Sequence, residues 1–182
     1  DSVRNGTSIR YSVLGTIVFG EKTNTTYTEK VLAVKDLFDR AHIPYKIPED
    51  MIREQWWKFM MNVGVNQISA VLKAPYGMFQ KVKEVRELMV MACSEVVDLA
   101  EKAGINLTRD DIDEYFKIFD TLSPNGKTSM LQDVEACRKT EVEIFTGTVI
   151  ELGKKYGVPT PVNNMLFKMI RALEQANILE LK

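Results

Sequence analysis

A lysine that can protonate a small molecule and two asparagines that can bind one recur at four-residue steps in the segment WWKFMMNVGVN. They are Lys58, Asn62 and Asn66. At about 100° per residue, a helix would place them within about 80° of one another on one face. The apolar neighbours on the other sides indicate that this polar stripe faces a pocket or another buried surface. A hydrogen-bond network between helices, or the wet side of a half-exposed helix, would explain the same spacing.

Two further candidates, Ser129 and Glu141, lie in the segment KTSMLQDVEACRKTE. Ser129 follows a loop, where a serine is also typical of a helix N-cap whose hydroxyl is fully used by backbone amides. Glu141 falls in the first turn of a predicted helix, where the helix dipole alone favours a carboxylate. The single histidine, His42, has no carboxylate or cysteine pattern near it. Any proton transfer by this chain is therefore assigned to lysine or glutamate.

The elements that precede these candidates alternate between strands and a helix. Residues 8–21, rich in β-branched and aromatic side chains and divided by Gly15, predict two short strands around a turn. The apolar periodicity of residues 28–41 predicts a helix. The segment IPYKIPED predicts a short edge strand that leads into the next helix. Residues 1–48 are thus expected to form a β-β-α-β piece.

From residue 49 onward the strand signals stop and helical signals dominate. The first long helix is predicted over residues 51–72, and Gly64 within it is expected to pack closely against another element. Gly104 is expected to cap the second long helix. The other predicted helices cover residues 82–103, 108–119, 140–156 and 162–176. Residues 49–182 are therefore expected to form a bundle of five or six helices, and the fold class is mainly α.

The composition excludes several classes of function. Lys and Arg number 24 against 25 for Asp and Glu, and the signs alternate, so no surface for nucleic acid or an anionic membrane is indicated. Cys93 and Cys137 belong to no metal-binding spacing, which indicates neither a zinc site nor a disulfide framework. No signal peptide or membrane span is predicted. A soluble protein of the reducing cytoplasm, without a metal, is the resulting expectation.

Three motifs, in order along the chain, carry a family resemblance. They are Lys58-x3-Asn62-x3-Asn66, TSMLQDVEACRKTEVE from Thr128 to Glu143, and GVPTPVN from Gly157 to Asn163. Together they resemble the ketopantoate reductase (2-dehydropantoate 2-reductase) family over essentially the whole chain. The resemblance implies that residues 49–182 are a helical substrate-binding domain similar to the C-terminal domain of 6-phosphogluconate dehydrogenase. It also implies that residues 1–48 are the end of an NADP-binding Rossmann-type domain.

The resemblance implies hydride transfer from NADPH to the C2 carbonyl of ketopantoate, which yields pantoate for pantothenate and coenzyme A synthesis. Lys58 matches the catalytic lysine, whose ammonium can supply a proton and a fixed positive charge to the developing alkoxide. Asn62 and Asn66 match asparagines that hold the substrate and position the lysine. Ser129 matches a serine that hydrogen-bonds the carboxylate end of the substrate. Glu141 matches a glutamate that orients the lysine and accepts from the substrate hydroxyl.

Two departures from the family pattern bear on what the chain alone can do. Cys137 stands where the pattern has a glycine before Arg138. No GxGxxG fingerprint is present, because the glycines of the N-terminal part do not have that spacing. The chain is therefore expected to bind NADPH poorly and to be inactive alone. A start at Asp1 rather than Met suggests a processed product or a piece of a longer protein.

Two other functions stay open at this point. A related NADPH-dependent reductase would use the same lysine on another 2-keto acid or on an imine. A noncatalytic helical module would pair with itself or with another protein and would not need Lys58. Family members commonly form dimers, so a homodimer is also open, although apolar periodicity does not separate a core from an interface.

Overall fold

The computed structural model describes residues 2–11 and 14–180 of the chain. It divides into two units, Asp1–Gln55 and Trp56–Lys182. The expected division into residues 1–48 and 49–182 stays a prediction. Helices dominate among the described residues, which confirms the mainly α fold class. None of the helices in this part of the chain is long and apolar enough to cross a membrane.

The first unit begins with an antiparallel hairpin of β1 (Ser2–Asn5) and β2 (Ser8–Tyr11). Gly6 in the turn has φ +60°, a conformation that two-residue hairpin turns need and that glycine adopts without strain. Strands lie on both sides of Gly15 as predicted, at residues 8–11 and 17–18, but β2 pairs with β1 across Gly6, and β1 was not predicted. Residues 12 and 13, which belong to the first predicted strand, lie outside the described residues.

A second pair of strands in this unit is parallel. β3 (Ile17–Val18) pairs with β4 (Tyr45–Lys46), and α1 (Glu29–Arg40) lies between them in the chain. Thr28 caps α1 by accepting from the backbone N–H of Val31 at 3.3 Å. Parallel strands need a crossover connection of this kind. The predicted helix and the predicted short edge strand are both confirmed.

From residue 51 onward the described residues form seven α-helices, more than the predicted five or six. Their bounds are α2 (Met51–Leu72), α3 (Tyr76–Lys81), α4 (Lys83–Lys102), α5 (Arg109–Phe119), α6 (Ser129–Glu135), α7 (Thr148–Tyr156) and α8 (Pro161–Ile178). A π-helical segment, Glu143–Gly147, leads directly into α7. The two helices that the sequence did not predict are the short ones, α3 and α6. α2, α4, α5 and α8 lie close to their predicted ranges, and α7 together with the π-helical segment covers most of residues 140–156.

Gly64 on α2 permits close packing against α4. A Cβ placed at residue 64 would overlap with the Sγ of Cys93 and would lie 3.4 Å from the Cγ of Met89. Both of these side chains are fully buried. The prediction of close packing at Gly64 is confirmed. At about 100° per residue, Gly64 lies roughly opposite the polar stripe on α2, so α4 covers the side of the helix that the stripe does not use.

α4 and α6 both end with a residue in the left-handed conformation. After α4 this residue is Gly104, with φ +73°, which confirms the predicted glycine cap. After α6 it is Cys137, with φ +53°, and the N–H of Arg138 donates to the carbonyl of Asp133 at 2.8 Å. Glycine is favoured at such a position because it has no Cβ. A glycine, which the family resemblance leads us to expect at position 137, would adopt this conformation without strain.

Candidate functional site

The polar stripe runs along α2 from the surface into the interior of the second unit. Lys58 is exposed, Asn62 is half-buried, and Asn66 is only 9% exposed. α2 is continuous over all three positions, so the face that the spacing requires is present. The stripe therefore presents a cation at the surface and amides at increasing depth along one helix face.

The side chains of the stripe are available to a ligand. Among the described residues, Lys58, Asn62 and Asn66 make no side-chain hydrogen bond and no ion pair. An interhelical hydrogen-bond network, one of the alternatives for this spacing, is thus not formed within that part of the chain. A buried amide costs free energy unless it is hydrogen-bonded. The amide of Asn66 is not among the fully buried unpaired groups, so it remains accessible to water or a ligand.

Ser69 extends the stripe toward the C-terminal end of α2. At about 100° per residue it lies only about 20° from Lys58 around the helix. Ser69 is fully buried, and its hydroxyl donates to the carbonyl of Ala74 at 2.7 Å. The same hydroxyl accepts from the hydroxyl of Thr128 at 3.1 Å. Ser69 was not among the residues predicted from the sequence. Its position as a further polar residue on the same helix face could have indicated it.

Thr128, and not Ser129, is the N-cap of α6. Its backbone is extended, with φ −66° and ψ 157°, and its Oγ1 accepts from the N–H of Leu131 at 3.1 Å. The interpretation of Ser129 as an N-cap is wrong, because the preceding residue already fills that position. Ser129 is the first residue of α6 and is exposed. Its hydroxyl makes no hydrogen bond to any other described residue and is available to a ligand.

Glu141 lies just before the π-helical segment and not in the first turn of a helix. Its carbonyl accepts from the N–H groups of Ile144 and Phe145 at 3.0 and 3.1 Å. The predicted helix start at residue 140 is too early, because the Thr140 hydroxyl accepts from the N–H of Val142 at 3.3 Å and forms a local turn. The Glu141 side chain is exposed and makes no hydrogen bond or ion pair within the described part of the chain.

Within the described residues the predicted site side chains make no hydrogen bond or ion pair with one another, and only neighbouring residues connect the elements that carry them. The bond between Thr128 and Ser69 ties the residue next to Ser129 to the helix of the polar stripe. The residue before Glu141 is bound to α8 through Glu174. An ammonium, amides, a hydroxyl and a carboxylate together provide donors and acceptors for a small molecule with carboxylate, carbonyl and hydroxyl groups.

Neither a metal site nor a phosphate-binding turn is formed by the described residues. They contain no group of three or more His, Cys, Asp or Glu side chains that could hold a metal ion. The loop from β3 to α1 contains Gly20 as its glycine, and α1 begins with the acidic Glu29. A dinucleotide pyrophosphate needs a glycine-rich turn and a helix N-terminus that attracts anions. NADPH, which the resemblance implies, does not fit these residues.

Comparison with known proteins finds a family match over most of the chain. Residues 50–174 match the family described as ketopantoate reductase PanE/ApbA, C terminal. The 2-dehydropantoate 2-reductase of Aquifex aeolicus is 32% identical over 166 residues, which cover 89% of this chain and 53% of that protein. The chain spans about half the length of the curated relatives it matches.

Two solved structures share the fold of the chain. A dimeric ketopantoate reductase from Staphylococcus aureus has a TM-score of 0.82 at 18% identity, covering 97% of this chain and 60% of that one. D-mandelate dehydrogenase, in a ternary structure with NADH and anilino(oxo)acetate, has a TM-score of 0.73 at 23% identity, covering 82% of this chain and 64% of that one. At these identities the likeness is evidence of the fold alone.

Proposed function

Because the chain belongs to the ketopantoate reductase family, we propose that it supplies the substrate-binding half of an enzyme that reduces 2-dehydropantoate to pantoate. The observation that carries the proposal is the polar stripe, whose lysine and asparagines share one face of α2 and have no partner among the described residues. The curated relatives from Aquifex aeolicus and Pyrobaculum aerophilum, which are named for this reaction, support it.

Lys58 and Glu141 act on the reacting carbonyl in this proposal. Lys58 donates a proton to the C2 oxygen as that oxygen becomes an alkoxide, and its positive charge stabilises the developing negative charge. Glu141 orients the ammonium group and accepts a hydrogen bond from the substrate hydroxyl. Both side chains are exposed and unpaired within the described residues, so each can turn toward a bound substrate.

Asn62, Asn66 and Ser129 hold the rest of the substrate. An amide both donates and accepts, so the two asparagines can bind the substrate and restrict the position of Lys58. Ser129 donates its hydroxyl to the substrate carboxylate. The bond between Thr128 and Ser69 supports this role, because it brings the start of α6 to the helix that carries the stripe.

The reductant is bound outside this chain in the proposal. Since the chain spans about half the length of its curated relatives, we assign NADPH to a dinucleotide-binding domain outside this chain. This chain joined to that domain is called the two-domain enzyme below. The chain alone is expected to show no NADPH-dependent turnover, whereas the two-domain enzyme is expected to show it.

The substrate assignment is tested by NADPH consumption in the two-domain enzyme. Ketopantoate is expected to give a higher kcat/KM than other 2-keto acids and imines of similar size. Equal or better turnover of another compound would contradict the substrate assignment and leave the reductase chemistry in place. A lack of turnover with every compound in the panel would contradict the enzymatic function itself.

Reduction of another 2-keto acid is the second candidate function. The observation that favours it is the shared fold with D-mandelate dehydrogenase, whose structure holds anilino(oxo)acetate. The carbonyl and carboxylate that the proposed site binds are common to all 2-keto acids, so the polar stripe does not select among them. The substrate panel separates the two candidates.

We also propose that the protein forms a homodimer. The support is the fold shared with the dimeric reductase of Staphylococcus aureus. Light scattering after size-exclusion chromatography is expected to give the mass of two chains, and the mass of one chain at micromolar concentration would contradict the proposal.

A further inference from the structure

Glu174 on α8 is a buried carboxylate whose two oxygens bind different parts of the chain. It is 6% exposed. Its Oε1 accepts from the backbone N–H and from the hydroxyl of Thr140, each at 2.8 Å. Its Oε2 accepts from the guanidinium of Arg171 at 2.7 Å. The carboxylate therefore links α8 to the segment that comes just before the π-helical segment.

This link orders the backbone on both sides of Glu141. Thr140 is 4% exposed and Val142 is fully buried. The Thr140 hydroxyl, which donates to Glu174, also accepts from the N–H of Val142 at 3.3 Å. Because Thr140 and Val142 are held in the interior, the residue between them is directed outward. The exposure of Glu141 agrees with this arrangement.

Arg171 adds a second connection on the C-terminal side of Glu141. Its Nη1 donates to Glu143 at 3.0 Å as well as to Glu174 at 2.7 Å. Glu143 is the first residue of the π-helical segment. Glu174 and Arg171 together therefore contact residues before and after Glu141.

On its N-terminal side this segment borders a cavity. The three residues before Thr140, residues 137–139, line a cavity of about 400 Å³ together with Glu174 and Arg171. A segment that borders a cavity lacks the close contacts that restrain a residue in a filled core. The hydrogen bonds from Thr140 to Glu174 therefore connect the segment to α8 beside this cavity.

We propose that Glu174 is a positioning residue for Glu141, an inference that rests on the role of Glu141 in the proposed function. A buried carboxylate costs free energy that an apolar residue at the same place would not. Its donors offset that cost only when Thr140 and Arg171 are correctly placed, so the carboxylate selects one arrangement of the segment. A catalytic group displaced by about 1 Å can lose about 100-fold in rate.

The test compares variants of the two-domain enzyme with and without Glu141→Gln. Glu174→Ala removes the link, and Thr140→Val removes the hydroxyl while keeping the shape of the side chain. Each variant is expected to lower kcat at least about tenfold, with a smaller change in KM. When either substitution is added to Glu141→Gln, kcat is expected to fall by less than about a further twofold. The carboxylate at position 141 is already absent there, so its displacement has no further effect.

Two controls accompany these variants. Thr140→Ser keeps the hydroxyl and is expected to restore kcat to within about threefold of the unaltered enzyme. Gln175→Ala changes the next residue of α8, which is exposed, and is expected to leave the kinetics unchanged. Thermal unfolding of every variant separates loss of stability from loss of turnover.

Equal losses of kcat in the two backgrounds would overturn the inference, because Glu174 would then act on stability and not through Glu141. Unchanged kinetics in Glu174→Ala and Thr140→Val would overturn it as well. If Glu174→Ala does not fold, the pair Thr140→Val and Thr140→Ser decides the question. Unchanged turnover in Glu141→Gln would contradict the proposed function of Glu141, a result distinct from failure of the link.

Discussion

The hydroxyl of Thr128 donates a hydrogen bond to the hydroxyl of Ser69 at 3.1 Å, and both residues are buried. The two lie far apart in the chain, so the bond forms only when α6 docks against α2. Ser129 follows Thr128, and the polar stripe shares a face of α2 with Ser69. This bond therefore connects the residue next to the serine of the proposed site to the helix that carries its lysine and asparagines.

Replacement of Ser69 by alanine is expected to raise the KM for the keto acid more than it lowers kcat. It leaves the hydroxyl hydrogen of Thr128 without its acceptor and the carbonyl of Ala74 without its donor, which costs about 1–3 kcal/mol in the free energy of unfolding. Steady-state kinetics of the two-domain enzyme and denaturant unfolding measure the two effects. Ser123→Ala, in an exposed loop, is the matched control. A fall in kcat with no change in KM would argue against a substrate-binding role for Ser129.

Lys58→Ala is expected to lower the turnover of the two-domain enzyme by about 100-fold or more, the size of a typical general-acid contribution. Lys58 is exposed and unpaired among the described residues, so the free energy of unfolding should change by less than about 0.5 kcal/mol. Lys154→Ala, an exposed lysine on α7, is the control. Near-normal turnover would favour a noncatalytic helical module instead.

Cys137→Gly is expected to stabilise the chain by about 0.5–1 kcal/mol. The φ of +53° at Cys137 destabilises a residue with a Cβ by about 1–2 kcal/mol. Glycine avoids this destabilisation, but its greater conformational freedom in the unfolded chain offsets part of the gain in stability. Denaturant unfolding measures the change. Cys137→Ala removes the thiol but keeps the Cβ, so it should give no such gain. Equal stability of the two variants would refute the backbone explanation.

Cys93 is expected to resist alkylation in the folded chain. Burial raises the pKa of its thiol to about 12 from an ordinary value of 9.0. Iodoacetamide at pH 8, followed by mass spectrometry, should therefore modify the exposed Cys137 and leave Cys93 intact until the chain is unfolded. Rapid native labelling of Cys93 would contradict its burial.

The same pKa shift has a consequence for stability at alkaline pH. The unfolded thiol ionises near pH 9.0, whereas the folded one ionises near 12. The contribution of Cys93 to stability is therefore fully present below pH 9 and is lost as the pH rises toward 12. Urea unfolding across this range is expected to show a fall in stability. A rise would contradict the assigned direction.

The longer helices of this chain are predictable because their signals are local. In α5, Thr108 and Asp111 form a capping box at the predicted start, and α2 covers its predicted range of residues 51–72. The helices α3 and α6 have only 6 and 7 residues. An apolar repeat of 3.6 residues does not show over so few positions. The pairing of β2 with β1 was not predicted for a different reason, since the partner of a strand depends on which turn forms the hairpin.

The sequence by itself determined the motifs that mark the family, the helical face shared by Lys58, Asn62 and Asn66, and the close packing expected at Gly64. These follow from residue types and their spacing along one element. Only the tertiary structure decided that Ser69 meets Thr128 and that Glu174 holds Thr140. Those contacts join residues 59 and 34 positions apart, so they depend on how whole helices dock, which no local pattern encodes.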